Sequence, residues 1–119
     1  MEANGILYLS NDDVKKILDL GHSIEITEQA LRDHSEGRVI WSTPEDLAIK
    51  PEHGWQSWVT GCALATEPVA GFRIRSIKAA GGSRDVARPP RGPRRILILS
   101  DREGGEIRAI MDEDWCHAV

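Results

Sequence analysis

The sequence predicts an α+β domain, with two N-terminal helices packed on a mostly antiparallel sheet. Three observations predict it. Apolar residues keep a helical spacing between Val14 and Leu31, then change to short β-prone runs after Gly37. The element order is a strand, two helices and then several strands. The later strands are joined by hairpin-type turns, an arrangement that gathers helices on one face of a sheet. At 119 residues, 40% hydrophobic and 29% charged, the chain has the length of one domain and a globular composition.

Each element has a local reason. Ile6-Leu7-Tyr8-Leu9 is a short apolar strand. Ser10 and Asp13 form a Ser-x-x-Asp capping box, and Val14, Ile17 and Leu18 then share one helix face. Asp12 and Asp13 in the first turn, with Lys15 and Lys16 after them, suit the helix dipole. Leu20-Gly21 is expected to stop this helix and Ser23 to cap the next. Ile24, Thr27 and Leu31 form the stripe of the second helix, and Gly37 is its left-handed C′ residue. Val39-Ile40-Trp41 is β-prone and Pro44 is expected to interrupt it; Leu47-Ala48-Ile49 is a separate run ended by Pro51. The alternation through Trp55, Ser57 and Val59 predicts a strand with two covered faces. Phe72, Ile74 and Ser76 alternate with Arg73, Arg75 and Ile77. Ile96-Leu97-Ile98-Leu99 is the strongest strand signal, and Asp101-Arg102-Glu103-Gly104-Gly105 turns it into Ile107 to Met111. Asp112 or Glu113 opens a last helix that the chain leaves within two turns, so partner surface is expected there.

Composition excludes several classes. No apolar stretch approaches the roughly 20 residues that span a bilayer. The first residues, Met1 to Gly5, have neither a basic nor a long apolar region, so a cytoplasmic protein without a membrane role is expected. Cys62 and Cys116 are far apart and read as free thiols, Cys62 as a half-buried structural one. The net charge of −4 is uneven. From Lys78 to Arg95 six cations face one acid, a net +5, which leaves −9 on the rest. Three prolines and three glycines in that stretch make it a basic surface loop. It has no interleaved aromatics to stack bases, so no nucleic-acid partner is expected. Gly81-Gly82-Ser83 precedes no helix and reads as a flexible loop. The four histidines show no metal-ligand spacing, so no metal is expected; His117 reads as a surface or helix-end residue.

Arg73 and Arg75 are the pointed feature. Two guanidinium groups on one face of a strand, with Lys78 just beyond, can hold a carboxylate in fork geometry; salt bridges to the acidic remainder are the other reading. Trp41, Trp55 and Trp58 are many aromatics for a small sheet, and burial against a second subunit is expected.

Several pieces, in order, resemble the ornithine cyclodeaminase / mu-crystallin family. They are Ile6 to Val14, the helix Ile24 to His34 with Glu36-Gly37-Arg38-Val39, the strand Val69-Ala70-Gly71-Phe72-Arg73, and the hairpin Ile96 to Asp112. The resemblance implies two domains: an α+β substrate and dimerisation domain, which this chain matches, and a Rossmann domain, which it lacks. It implies an NAD- or NADP-dependent oxidoreductase or deaminase acting on a small amino acid, its imine or a keto acid, as a homodimer. The nucleotide would be bound by the missing domain, so the isolated chain is not expected to be active. Arg73 would be the carboxylate ligand, with Arg75 and Lys78 as alternatives. Two departures stand out. Arg73 replaces the family's lysine and keeps the charge without serving as a neutral base. Ser42-Thr43-Pro44-Glu45-Asp46 puts acids where the family has an arginine. The other reading is a free-standing, non-catalytic dimeric module, or a degenerate fragment, that binds a small anion or a protein partner.

Overall fold

The computed structural model describes residues 2–3, 5–78 and 91–118. Its elements are β1 (Glu2–Ala3), β2 (Ile6–Leu9), α1 (Asn11–Ile17), α2 (Leu20–Ser35), β3 (Val39–Ile49), β4 (Trp55–Leu64), β5 (Val69–Lys78), β6 (Arg95–Asp101), β7 (Ile107–Asp112) and α3 (Asp114–Ala118). They build one seven-stranded sheet in the order β1-β2-β7-β6-β5-β4-β3. All neighbours run antiparallel except β2 and β7, which pair in parallel through Leu7↔Ala109 to Leu9↔Met111. The class is α+β, as the sequence predicts, with a mixed sheet. Gly81-Gly82-Ser83 and the middle of the basic loop, Arg84 and Arg88 included, lie outside the described residues.

The capping box forms. Ser10 Oγ accepts from the Asp13 amide at 3.2 Å, and the Asp13 carboxylate accepts from the Ser10 amide at 3.0 Å. These Ser10 bonds hold the Asp13 carboxyl below its ordinary range, because they favour the charged form. α1 buries Val14 and packs on β2, β7 and α3.

α2 departs from expectation in two ways. It begins at Leu20, capped by Asp19, whose Oδ1 accepts from the His22 amide at 2.7 Å. Ser23 is therefore inside the helix and buried, not its cap. The helix also makes no extended packing on the sheet. Its inward line carries Ser23 and Asp33, while Leu20, Ile24 and Leu31 are 60–64% exposed. The reason is its C-terminal anchor. Asp33, 1% exposed, accepts from Arg38 Nη2 at 2.8 Å and Nε at 3.1 Å and from Gln29 Nε2 at 3.1 Å. His34 meets Trp41 edge-on at 6.0 Å. Gly37, at φ 73°, turns the chain into β3 as its spacing predicts.

β3 is one continuous strand through Pro44, not two runs. Proline lacks a ladder donor, but β3 is the sheet edge, and a register shift between Trp41 and Asp46 absorbs it. In β4, Gly61 leaves room for the Phe72 ring opposite it; a Cβ there would lie 2.6 Å from Phe72 Cδ1. The β6–β7 hairpin turns at Gly105, φ 75°, with its amide donating to the Asp101 carbonyl. Arg102 Nη1 donates to the carbonyls of Leu64 and Glu67 and so ties this turn to the β4–β5 turn.

Strand register sorts the sheet into two faces. Trp58, Arg73, Arg75, Arg95, Leu97 and Met111 share one, which α3 reaches through His117. Val59, Phe72, Ile74, Ile96, Ile98 and Ile110 share the other. That second face is only partly covered, with Phe72 41% exposed, and Trp55 at the strand end is exposed too, so β4 does not have two covered faces. Among the apolar side chains of the described residues, only Val14, Ala63 and Ala109 are buried. No helix among the described residues is long and apolar enough to cross a membrane.

Candidate functional site

β5 places Arg73 mid-sheet, between Thr60 of β4 and Leu97 of β6. β7 ends at Asp112, whose Oδ1 accepts from the Asp114 amide at 2.9 Å and starts α3. This brings Glu113, whose amide donates to the Arg95 carbonyl, back over the sheet. Arg73 Nε lies 2.7 Å from Glu113 Oε1 and 2.9 Å from Oε2. Glu113 is buried, 5% exposed. One helical turn on, His117 Nδ1 lies 3.3 Å from Arg73 Nη2 and 3.8 Å from Glu113 Oε1. An arginine has no lone pair to offer, so in this contact Nδ1 accepts, and a neutral His117 carries its proton on Nε2.

The result is a cation whose Nε edge is neutralised by a buried carboxylate and whose Nη2 is steered by an imidazole. As a guanidinium, Arg73 can hold and polarise an oxyanion but has no free base to remove a proton. Beside it, Trp58 has the Lys50 ammonium 4.7 Å and the Arg75 guanidinium 5.7 Å from its ring centroid. The sheet therefore carries Arg73, Arg75 and Lys50 on one side of β4 and β5, with Glu113 as the buried acid.

Of the three residues singled out in the sequence, Arg73 and Arg75 come together on this face. Lys78 does not. It pairs across strands with Trp55 on the opposite face, beside a cavity of about 400 Å³. Sequence reasoning missed Glu113 and treated His117 as a helix-end residue. Their separation of four residues just after a strand was the available signal, since it stacks two side chains on one helix face. The pairing with Arg73, 40 residues earlier, had none.

The cysteines are not part of the site's chemistry. Cys62 is exposed, not half-buried. Burial, together with the Glu113 charge, pushes the Cys116 thiol up, away from the reactive thiolate.

No protein-family model matches the chain. No curated protein matches it by sequence. Solved structures do match. An archaeal alanine dehydrogenase dimer with bound NAD aligns over 93% of this chain and 32% of its own, at 18% identity and a TM-score of 0.75. A probable ornithine cyclodeaminase from Bordetella pertussis Tohama I aligns over 94% and 32%, at 13% identity and 0.71. The Δ1-pyrroline-2-carboxylate reductase of Thermococcus litoralis, in complex with NADH and L-proline, aligns over 95% and 33%, at 19% identity and 0.76. At these identities the likeness is one of fold. The resemblance read from the sequence holds at that level, and the chain spans about a third of the length of each structure it matches.

Proposed function

We propose that this chain is the substrate-binding and subunit-contacting part of an NAD(P)-linked oxidoreductase or deaminase of the ornithine cyclodeaminase / mu-crystallin family. Its substrate would be a small amino acid or the matching imine or keto acid. The observation that carries this is the fold likeness over 93–95% of the chain to three proteins described as acting on such compounds.

The Arg73 cluster supports it. In this reading Arg73 holds the substrate carboxylate through the N–H groups not turned to Glu113, and Arg75 adds charge to the same face. The Nε2–H of His117 is a further donor beside it. Glu113 keeps the guanidinium in place and lowers the positive charge of the pocket. Lys78, on the other face, takes no part. The hydride chemistry of such enzymes belongs to nicotinamide. A dinucleotide needs a strand, a glycine-rich turn and a helix N-terminus to cradle its pyrophosphate. The described residues do not fit that need: β2 passes into α1 through Ser10 with no glycine turn. The reading therefore assigns the dinucleotide to a part of the protein beyond these residues.

The open sheet face through Val59, Phe72, Ile74, Ile96, Ile98 and Ile110 would be the homodimer contact, in a cytoplasmic enzyme. The test is an assay of the native polypeptide from its source cells, using NADH or NADPH. The substrates are Δ1-pyrroline-2-carboxylate, pyruvate with ammonium, and L-ornithine. One of them should support nicotinamide turnover. Arg73→Ala should raise KM about tenfold or more, and Arg73→Lys should recover much of it. No turnover with any of them, with an intact mass of 13.2 kDa, would defeat the proposal and leave the non-catalytic module.

A further inference from the structure

We propose that the cavity at the end of β4, β5 and β6, beyond the Arg73 cluster, binds the phosphate group of a small phosphorylated molecule. The cavity is a half-open cleft of about 400 Å³, lined by Trp55, Ser76, Lys78, Arg94, Arg95 and Asp114, among others. Its volume lies within the range of small-molecule pockets.

Register explains why these groups converge. Trp55 pairs with Lys78 across β4 and β5, and the Ser76 amide donates to the Arg94 carbonyl. Trp55, Ser76, Lys78 and Arg94 thus point to the same side. The Arg94 guanidinium sits 4.4 Å from the Trp55 ring centroid. An indole holds a guanidinium by its π-face while leaving N–H groups for an oxyanion, so Trp55 orders Arg94 without using up its donors.

Charge selects the ligand. Lys78, Arg94 and Arg95 face one acid, Asp114, and none of the three cations is in an ion pair among the described residues. The surplus of two positive charges suits a dianion. A phosphate monoester supplies that charge and three acceptor oxygens, where a carboxylate supplies one charge and two. The Ser76 hydroxyl is a fourth donor. This site is separate from the Arg73 cluster and does not depend on the role given to it.

The test titrates the 119-residue chain with inorganic phosphate and with glucose 6-phosphate, read by Trp fluorescence and by amide NMR shifts. Saturable binding with a Kd at or below about 1 mM is expected, with shifts centred on Trp55, Lys78 and Arg94. Arg94→Ala and Lys78→Ala should each weaken it about tenfold. Trp55→Ala should weaken it by freeing Arg94, and Trp55→Phe should retain it. Lys50→Ala, a lost cation outside the cavity, should leave it unchanged. All four substituted positions lie at the rim of the sheet, and circular dichroism checks that each variant folds. Equal affinity for the two ligands supports a site that reads phosphate alone. Tighter glucose 6-phosphate binding supports a site that also reads the organic part. The proposal is overturned by no saturable binding of either, by binding indifferent to Arg94 and Lys78, or by a single-stranded oligonucleotide outcompeting both.

Discussion

Replacing Arg73 by alanine removes one partner of an ion pair and leaves the other in place. The Glu113 side chain is 7% accessible and the Arg73 side chain 28%. Deleting one partner of a buried pair costs about 3–5 kcal/mol, because the surviving charge is left stranded. Two features soften the loss here. Arg73 is partly solvated, so water can follow it out, and His117 Nδ1 is 3.8 Å from Glu113 Oε1 and can share the charge when protonated. Arg73→Ala should therefore cost about 2–3 kcal/mol, just below that range. For a domain of this length that corresponds to a Tm lower by about 10 °C. Thermal unfolding followed by far-UV circular dichroism at neutral pH measures it, with urea midpoints as a check. The double variant Arg73→Met with Glu113→Leu should recover most of the loss, since no charge is then buried. A Tm within about 1 °C of the parent for Arg73→Ala, or a double variant as unstable as the single, would refute the buried pair.

Other outcomes follow from the same structure. Arg38 holds the Asp33 carboxyl below its ordinary value of 3.8, with a smaller contribution from Gln29. Its contribution to stability is full above that value and is lost as pH falls through the depressed one. Urea midpoints between about pH 5 and pH 2 should fall less steeply in Asp33→Asn; identical slopes would sink the argument. Gly61→Ala drives a Cβ to 2.6 Å from Phe72 Cδ1 and 2.9 Å from Cε1, and should cost about 1–3 kcal/mol. In a Phe72→Ala background the same change should be near neutral, and an unchanged cost there would point to backbone strain instead. Ser10→Ala removes the α1 cap and should cost about 1 kcal/mol in urea unfolding, with no change in m-value.

Within a few residues of each signal, the sequence was sufficient. The Ser10–Asp13 box, the Gly37 turn, the Asp101–Gly105 hairpin and the alternation that puts Arg73 and Arg75 on one face are all contacts between near neighbours. The identities of those neighbours settle them. The Ser23 cap was misplaced because Asp19, four residues earlier, competes for the same role and reaches the His22 amide. Pro44 looked like a break because its tolerance depends on β3 being an edge, which is a property of the assembled sheet.

The same distinction governs the site. A strand encodes which of its residues share a face, and so Arg73 was legible as a candidate. It does not encode its distant partners. The parallel pairing of β2 with β7 and the arrival of Glu113 and His117 over Arg73 are set by long-range contacts. Only the closed sheet brings together groups 40 and more residues apart, because each such contact gains its free energy from apolar surface and charge that the local chain does not contain.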